Sequence, residues 1–218
     1  MRIATIEKVF NLLSKDYPNP QTELKYINQY TFLISVILSA QATDISVNKP
    51  SKELFRIVKN AKEMVELGET NLKKYIKTIG LYNAKAKNII KLSKILLSKY
   101  NNKIPKDFKS LISLPGIGNK TASVYQNSVL NVPRIAVDTH VFRVSNRIGL
   151  TKSKTADLTQ ICLERIVPKK WLMIAHNILI FHGRKICKSK KPLCDICSIK
   201  KFVITGGITY NLNLLLNI

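Results

Sequence analysis

Long apolar runs are absent from this sequence. The two most apolar stretches, residues 32–40 and 171–181, are too short or too polar to span a bilayer. The N-terminus has the apolar periodicity of an amphipathic helix rather than the pattern of a secretory signal. We therefore expect a soluble, cytoplasmic protein with no membrane contact.

Acidic residues are also scarce. The chain has 13 Asp and Glu against 36 Lys and Arg, which gives a formal net charge of +23 at pH 7. A charge of this sign and size predicts binding to a polyanion, chiefly a phosphate backbone, with a strong dependence on salt. The charge does not by itself indicate an enzyme, because a ribosomal or chromatin-type binding protein shares it.

Cysteines are few, and an intracellular chain does not suggest disulfides. Cys162 stands among apolar residues of a predicted helix, so we expect it to be a buried small hydrophobic residue. The other three have the spacing C-x6-C-x2-C and are Cys187, Cys194 and Cys197. The sequence then ends in an atypical tail, 202–218, that has no charged residue at all.

The rest of the chain is predicted to be almost entirely helical, and its hydrophobic content of 45% is enough for a proper core. The predicted helices are 2–15, 32–41, a helix capped by Thr43 or Asp44 that runs to 59, 61–67, 69–77, 83–99, those of 107–130, 139–149, 155–166 and 169–182. In helix 83–99 the apolar residues face the core, and the lysines are expected to point outward, namely Lys85, Lys87, Lys91 and Lys94.

The sequence Leu-Pro-Gly-Ile-Gly-Asn-Lys-Thr-Ala at 114–122 predicts a helix-hairpin-helix turn. Pro115 ends a short apolar segment, and a new helix begins near Gly118. We expect Gly116 and Gly118 to take backbone angles that are closed to other residues. Backbone N–H groups beside a helix N-terminus form an anion site, and in a basic protein the expected anion is a DNA phosphate.

Two charged residues follow this turn. Lys120 falls in the first turn of the new helix, where the helix dipole favours the neutral amine, which is the nucleophilic form. Asp138 precedes the next predicted helix as an N-cap. Hydrogen bonds donated to its carboxylate by backbone N–H groups are expected to keep it ionised. Taken alone, Lys120 has the simpler interpretation of a surface lysine, and Asp138 that of a structural cap.

Taken together, these motifs resemble the endonuclease III family of DNA glycosylase/abasic-site lyases. The resemblance rests on residues 114–122 and on Val-Asp-Thr-His at 137–140. Further support comes from Leu-Ser-Ala-Gln-Ala-Thr-Asp at 38–44, Tyr-Ile-Lys-Thr-Ile-Gly-Leu-Tyr-Asn at 75–83 and His-Gly-Arg at 182–184.

The resemblance implies an all-α, two-lobed helix-hairpin-helix glycosylase fold with a central cleft. Residues 22–132 would form a helical barrel that contains the helix-hairpin-helix at about 107–130. Residues 1–21 and 133–201 would form the second lobe, which carries the cysteine loop 187–203.

The implied function is base-excision repair of double-stranded DNA that contains oxidised pyrimidines or abasic sites. By resemblance, Gln41 fills the hole left by the flipped nucleotide and Leu81 wedges the opposite strand. Lys120 attacks the sugar carbon, expels the base and forms a Schiff base, while Asp138 stabilises positive charge on the sugar. β-Elimination then nicks the strand, and a monomer is the expected state.

The cysteines differ from the family at one position. In the family a fourth cysteine follows, and the four hold a [4Fe–4S] cluster. The position expected for it here is Val203, and a valine cannot ligate iron. Three interpretations stay open, in which the reading frame shifts just after Lys201, the tail has diverged and leaves a three-ligand or absent cluster, or His182 completes a Cys₃His zinc site. A degraded iron–sulfur site ranks ahead of zinc.

The loop between Cys187 and Cys194 carries Lys188, Lys190 and Lys191. It is either a solvated basic surface or a phosphate-binding loop that a metal holds in shape.

Two other functions also stay open. One is a catalytically impaired DNA-binding remnant of the same family, which would shift a duplex without cutting it. The other is an adenine-mismatch glycosylase, against which Lys120 and the lack of a C-terminal recognition domain argue.

Overall fold

The computed structural model describes residues 1–203, which fold into α-helices and two short 3₁₀ turns without any strand. The predicted all-α class is confirmed. The helices are α1 Ile3–Asp16, α2 Gln29–Leu38, α3 Asp44–Ile57, α4 Ala61–Ile76, α5 Tyr82–Tyr100, α6 Phe108–Ile112, α7 Asn119–Leu130, α8 Thr139–Arg147, α9 Ala156–Ile166 and α10 Lys169–Lys185. Within residues 1–203 no helix has the length and apolar character needed to cross a bilayer.

Short polar side chains determine where most of these helices begin. In each case the side chain accepts a hydrogen bond from a backbone N–H of the first turn, as at Asn28, Thr43, Asn60, Asp107, Asp138 and Thr155. Such a cap satisfies one of the N–H groups that a helix start leaves unpaired and contributes about 1 kcal/mol. Of the two caps proposed for α3, the structure uses Thr43.

The chain divides into two compact units, each with its own core. One unit runs from Glu23 to Val132 and contains α2–α7. Its centre is α2, in which every residue from Tyr30 to Leu38 is buried and which packs against α3, α5 and α7. Two polar groups in this core pair with each other, since the Tyr30 hydroxyl lies 2.7 Å from the hydroxyl of Ser93.

Among the described residues, the other unit joins Met1–Thr22 to residues 133–203. The apolar face of α1 buries Ile6, Val9 and Phe10 in a core that α8, α9 and α10 complete. Phe10 is fully buried and stacks on Trp171 of α10 with ring centroids 6.0 Å apart. Burial of a side chain of this size contributes about 1.5–3 kcal/mol, so this unit depends on both ends of the chain.

Three local expectations need correction. The helix predicted over 32–41 ends at Leu38, and Gln41 has a left-handed backbone with φ 55°. Cys162 is half-buried rather than buried, because the buried face of α9 is formed by Thr159, Gln160 and Leu163. Lys85 does not point outward; its side chain is buried, because its ammonium group meets two backbone carbonyls inside the protein.

Candidate functional site

The predicted hairpin is formed by α6, a six-residue turn and α7. Asp107 caps α6 through a 2.8 Å bond from the backbone N–H of Ser110. Leu114 and Ile117 of the turn are buried in the core of this unit, and the N–H of Ile117 donates to the carbonyl of Leu114 at 3.1 Å. These contacts fix the turn on the core, so that the start of α7 is held in one place.

The two glycines of the turn differ in what they provide. Gly116 has φ 83°, and a Cβ added to it would lie 3.1 Å from Cβ of Asn88. Gly118 is extended, with φ −100° and ψ −179°, so the expectation that it too needs a glycine conformation is wrong. A Cβ on Gly118 would meet no atom of residues 1–203 within 4 Å, and Gly118 is the N-cap of α7 without a side chain to cap it. Gly118 therefore leaves room for an anion at the N-terminus of α7.

Lys120 is the second residue of α7 and is half-buried. The next two residues, Thr121 and Ala122, are buried and anchor this turn of the helix. The sequence of the first turn of α7 contains no acidic residue. The amine therefore lies at the open N-terminus of a helix whose backbone is firmly held.

Asp138 caps α8 and is half-buried; its Oδ1 accepts the N–H of Val141 at 2.8 Å. The extended segment before it is buried and held from two helices. The N–H of Ile135 donates to Oε1 of Glu164 in α9 at 3.1 Å, and Nδ1 of His176 in α10 donates to the carbonyl of Ala136 at 2.7 Å. This carboxylate therefore has a fixed position in its own unit, and Lys120 belongs to the other unit.

Gln41 and Leu81 lie in neighbouring loops. Both side chains are exposed, with Leu81 60% exposed. Both backbones are left-handed, with φ 55° at Gln41 and 61° at Leu81. A Cβ added to Gly80 would lie 3.9 Å from the carbonyl oxygen of Gln41, so the two loops are close neighbours. An exposed leucine in a strained backbone conformation is typical of a functional surface rather than of a core.

The glycine of the His-Gly-Arg motif is explained by the packing of α10 on α8. A Cβ on Gly183 would lie 3.0 Å from Cβ of His140 and 3.1 Å from Cγ2 of Val144, so glycine lets the helices approach closely. Arg143 of α8 donates to the carbonyls of Gly183 at 2.9 Å and Cys187 at 3.1 Å. Its guanidinium also lies 3.2 Å from Nδ1 of His140, whose pKa is lowered chiefly by burial.

The cysteine loop surrounds a cavity of about 250 Å³. It is lined by all three cysteines of the motif and by Val203, together with side chains that include Arg147 and His182. Val203 thus occupies the wall of the same cavity as the three thiols. Among residues 1–203, however, no three His, Cys, Asp or Glu side chains are arranged to hold a metal ion. The residues present supply three of the four thiolates that the family's [4Fe–4S] cluster takes, and they do not complete that site.

His182 borders this cavity and is only 1% exposed. Burial lowers its pKa to about 4, so the ring is neutral at pH 7. Its Nε2 lies 3.7 Å from Sγ of Cys197, and its Nδ1 lies 3.4 Å from the hydroxyl of Tyr17. Burial raises the pKa of the Cys197 thiol.

The basic loop is tied to α8 by a second arginine. Arg147 donates to the carbonyls of Lys188 at 2.6 Å and Ser189 at 2.9 Å. Lys188, Lys190 and Lys191 are all exposed, and Lys191 has φ 49°. Arg147, together with Arg143, therefore holds the loop backbone while its lysines face solvent.

Comparisons with known proteins agree with this architecture. The model of the HhH-GPD superfamily of base excision DNA repair proteins matches residues 34–169. Endonuclease III of Rickettsia conorii is 55% identical over 202 residues, which cover 93% of this chain and 96% of that protein. Endonuclease III of Escherichia coli K12 is 44% identical over 193 residues, which cover 88% of this chain and 92% of that protein.

A solved structure gives the same result. The chain is similar to a trapped endonuclease III–DNA covalent intermediate with a TM-score of 0.89 and 38% identity. The match covers 93% of this chain and 96% of that one. The hairpin, the capped aspartate and these matches together show that the chain belongs to the endonuclease III family, whose members are base-excision DNA glycosylases with abasic-site lyase activity.

Proposed function

We propose that the chain removes oxidised pyrimidines from double-stranded DNA and then nicks the strand, with Lys120 as the nucleophile and Asp138 as its acid–base partner. The observation that carries this proposal is the position of Lys120, half-buried in the first turn of a firmly held helix with open space at Gly118. The likeness to an endonuclease III trapped as a covalent intermediate with DNA supports a covalent mechanism.

The reaction begins when Nζ of Lys120, as the neutral amine, attacks C1′ of the extruded nucleotide. The bond between C1′ and the base breaks, and the base leaves with its electron pair and a proton. The carboxylate of Asp138 stabilises the positive charge that develops on the sugar. Its hydrogen bond from the backbone N–H of Val141 keeps it in place.

After the base has left, C1′ carries both Nζ of Lys120 and the ring oxygen O4′. The C1′–O4′ bond then breaks, O4′ leaves with the bonding electron pair and takes up a proton, and the lone pair of Nζ forms the second bond to C1′. The opened sugar is thus held as a protonated Schiff base between Lys120 and C1′. Loss of a proton from C2′ then breaks the C3′–O bond, and the 3′ phosphate leaves with the electron pair. Hydrolysis of the imine releases the sugar fragment and regenerates the amine. One residue therefore serves both the glycosylase step and the lyase step.

Extrusion of the nucleotide requires groups that replace it in the duplex. We assign this role to the side chains of Gln41 and Leu81, because they are exposed on two neighbouring loops. Leu81 offers an apolar wedge, and Gln41 offers amide donors and acceptors that can pair with an orphaned base.

We propose that the protein binds the DNA backbone at two places. The N-terminus of α7 at Gly116–Gly118 receives one phosphate, and the lysines of the cysteine loop, Lys188, Lys190 and Lys191, attract others. The net charge of +23 supports strong, salt-dependent binding. We propose that the protein acts as a monomer in the cytoplasm.

The family usually binds a [4Fe–4S] cluster. For this chain we propose a degraded cluster site at Cys187, Cys194 and Cys197, since these thiols share one cavity wall with Val203. A bound cluster would brace the loop, and no chemical step above depends on it.

The experiment that tests the proposal is borohydride trapping on a duplex with one abasic site. Wild type should form a covalent enzyme–DNA adduct, and Lys120→Gln should form none. Lys62→Gln is the control, because Lys62 is an exposed lysine of α4. Trapping of Lys120→Gln at the wild-type level would overturn the assignment.

The incomplete cysteine set favours one alternative, a DNA-binding remnant without catalysis. Such a protein would shift an abasic duplex in a gel and leave both strands intact. Nicking by wild type that Lys120→Gln abolishes excludes it.

A further inference from the structure

Lys85 is a buried lysine that the proposed chemistry does not use. It lies in the first turns of α5 and is 6% exposed. Its Nζ donates to the carbonyl of Leu38 at 2.8 Å and to the carbonyl of Ala40 at 2.7 Å. Lysine is almost never buried without a specific partner, and here two backbone carbonyls serve as acceptors.

Both acceptors lie where α2 ends. The last carbonyls of a helix have no partner inside the helix and carry its negative dipole charge, so a cation is favourable there. The sequence of α2 itself contains no charged residue. Lys85 therefore supplies from α5 the cation that the end of α2 lacks.

The same two bonds join the two loops that carry the proposed flipping residues. Ala40 directly precedes Gln41, and the backbone N–H of Lys85 donates to the carbonyl of Leu81 at 3.0 Å. Lys85 thus reaches from the turn that presents Leu81 to the backbone that presents Gln41. Both of these residues have left-handed backbones, a conformation that surrounding contacts must hold in place.

We propose that Lys85 is a positioning residue for base extrusion, which holds the Gln41 loop beside the Leu81 turn through its bonds to Leu38 and Ala40. This inference rests on the proposed function of Gln41 and Leu81. It predicts that loss of the ammonium group impairs the step that needs these side chains and spares the chemistry of Lys120.

The test compares Lys85→Met with Lys87→Met, the same change at an exposed lysine of the same helix. One substrate is a duplex that contains thymine glycol, which has to be extruded. The other is a single strand with one abasic site, which has no stacked base to extrude. Single-turnover rates are measured at saturating enzyme and at a temperature where thermal unfolding shows every variant to be folded.

We expect Lys85→Met to slow excision from the duplex by about 10–100-fold, the size of effect that a misplaced active-site group produces. Nicking of the single strand should stay within about twofold of wild type, and Lys87→Met should match wild type on both substrates. The double variant with Gln41→Ala should be no slower than the slower single variant, because both changes remove one function.

Equal loss on both substrates would show that Lys85 only stabilises the fold, and full activity on both would show no role; either outcome overturns the inference. If Lys85→Met does not fold, Lys85→Leu, which also removes the ammonium group, is measured in its place against the same criteria. The Gln41→Ala variant shows whether the inference on Lys85 or the proposed role of Gln41 has failed. If it slows duplex excision and Lys85→Met does not, only the inference on Lys85 fails. If Gln41→Ala has no effect, the proposed role of Gln41 fails first.

Discussion

Gly116 and Gly118 make a matched pair for mutation, because they are two residues apart in the same turn and differ in conformation. Gly116→Ser places a side chain on a backbone with φ 83° and a Cβ 3.1 Å from Cβ of Asn88. A left-handed residue with a Cβ costs about 1–2 kcal/mol, and the close contact adds to that cost. We therefore expect a loss of about 1–3 kcal/mol in the free energy of unfolding.

Gly118→Ser adds the same atoms to an extended backbone with no atom of the described chain within 4 Å of the new Cβ. Serine is also a good N-cap, so the free energy of unfolding should change by less than about 0.5 kcal/mol. The new hydroxyl, however, competes for the N–H groups at the start of α7 and fills the space where a phosphate would approach. DNA affinity should therefore fall.

Two assays check the pair. Thermal unfolding followed by far-UV circular dichroism reports stability, and for a chain of this length 1 kcal/mol corresponds to about 2–4 °C in Tm. Fluorescence anisotropy with an uncleavable abasic-site analogue in a duplex reports affinity. Gly116→Ser should lower Tm, and Gly118→Ser should weaken binding at an unchanged Tm. A Gly118→Ser variant that binds like wild type, or that unfolds as early as Gly116→Ser, would refute this account of the hairpin.

Three further predictions concern other parts of the molecule. Val203→Cys should raise the iron content of anaerobically purified protein, with a brown colour, because it adds a thiol to the cavity wall that the other cysteines line; iron analysis that shows no difference from wild type would contradict a degraded cluster site. Arg147→Met should weaken DNA binding several-fold and leave the single-turnover rate at saturating enzyme unchanged, because it frees the backbone of Lys188 and Ser189; an equal loss in Arg165→Met, a change at the end of α9, would show that only net charge matters. Burial lowers the pKa of Lys85 below its usual 10.5, so between its folded pKa and 10.5 the unfolded state binds more protons and the free energy of unfolding should rise with pH. Urea unfolding of wild type and Lys85→Met over this range should show that slope only in wild type.

The helices could be predicted from the sequence because their boundaries are local. Asn and Asp caps, the prolines and the apolar periodicity lie within a few residues of each helix end. Gly68, with φ 76°, interrupts α4 between the two helices predicted there, 61–67 and 69–77. The left-handed backbone at Gly116 was predictable for the same reason, since the signal lies in the turn itself.

The supporting contacts of the site could not be predicted in this way. The partners of Lys85 lie 47 and 45 residues away in sequence, and they are backbone carbonyls, which carry no sequence signature. The same helix has four exposed lysines, Lys87, Lys91, Lys94 and Lys99, and nothing local marked Lys85 as different from them. The hydrogen bond from His176 to Ala136 and that from Ile135 to Glu164, which hold the segment before Asp138, also span long sequence separations.

The residues assigned to chemistry could be predicted from the sequence only in part. Lys120 and Asp138 were found through the order and spacing of their motifs, and the structure shows the local setting of each, a first-turn lysine and an N-cap aspartate. Their roles stay predictions until the trapping experiment is done. The reason given for Gly118 was wrong, because its backbone is extended, and what a glycine provides there is open space and not a special φ.

The packing of α1 with helices from the far end of the chain has a consequence for synthesis on the ribosome. The unit that starts at Glu23 has all its residues once Val132 has emerged, and it can complete its core early. The helix α1 is synthesised before that unit, but its packing partners α8–α10 are synthesised after it. Ile6, Val9 and Phe10 therefore stay uncovered until those helices have emerged. During translation the first helix to be made is therefore among the last to reach its native partners, and its apolar face stays exposed to solvent until α8–α10 have emerged.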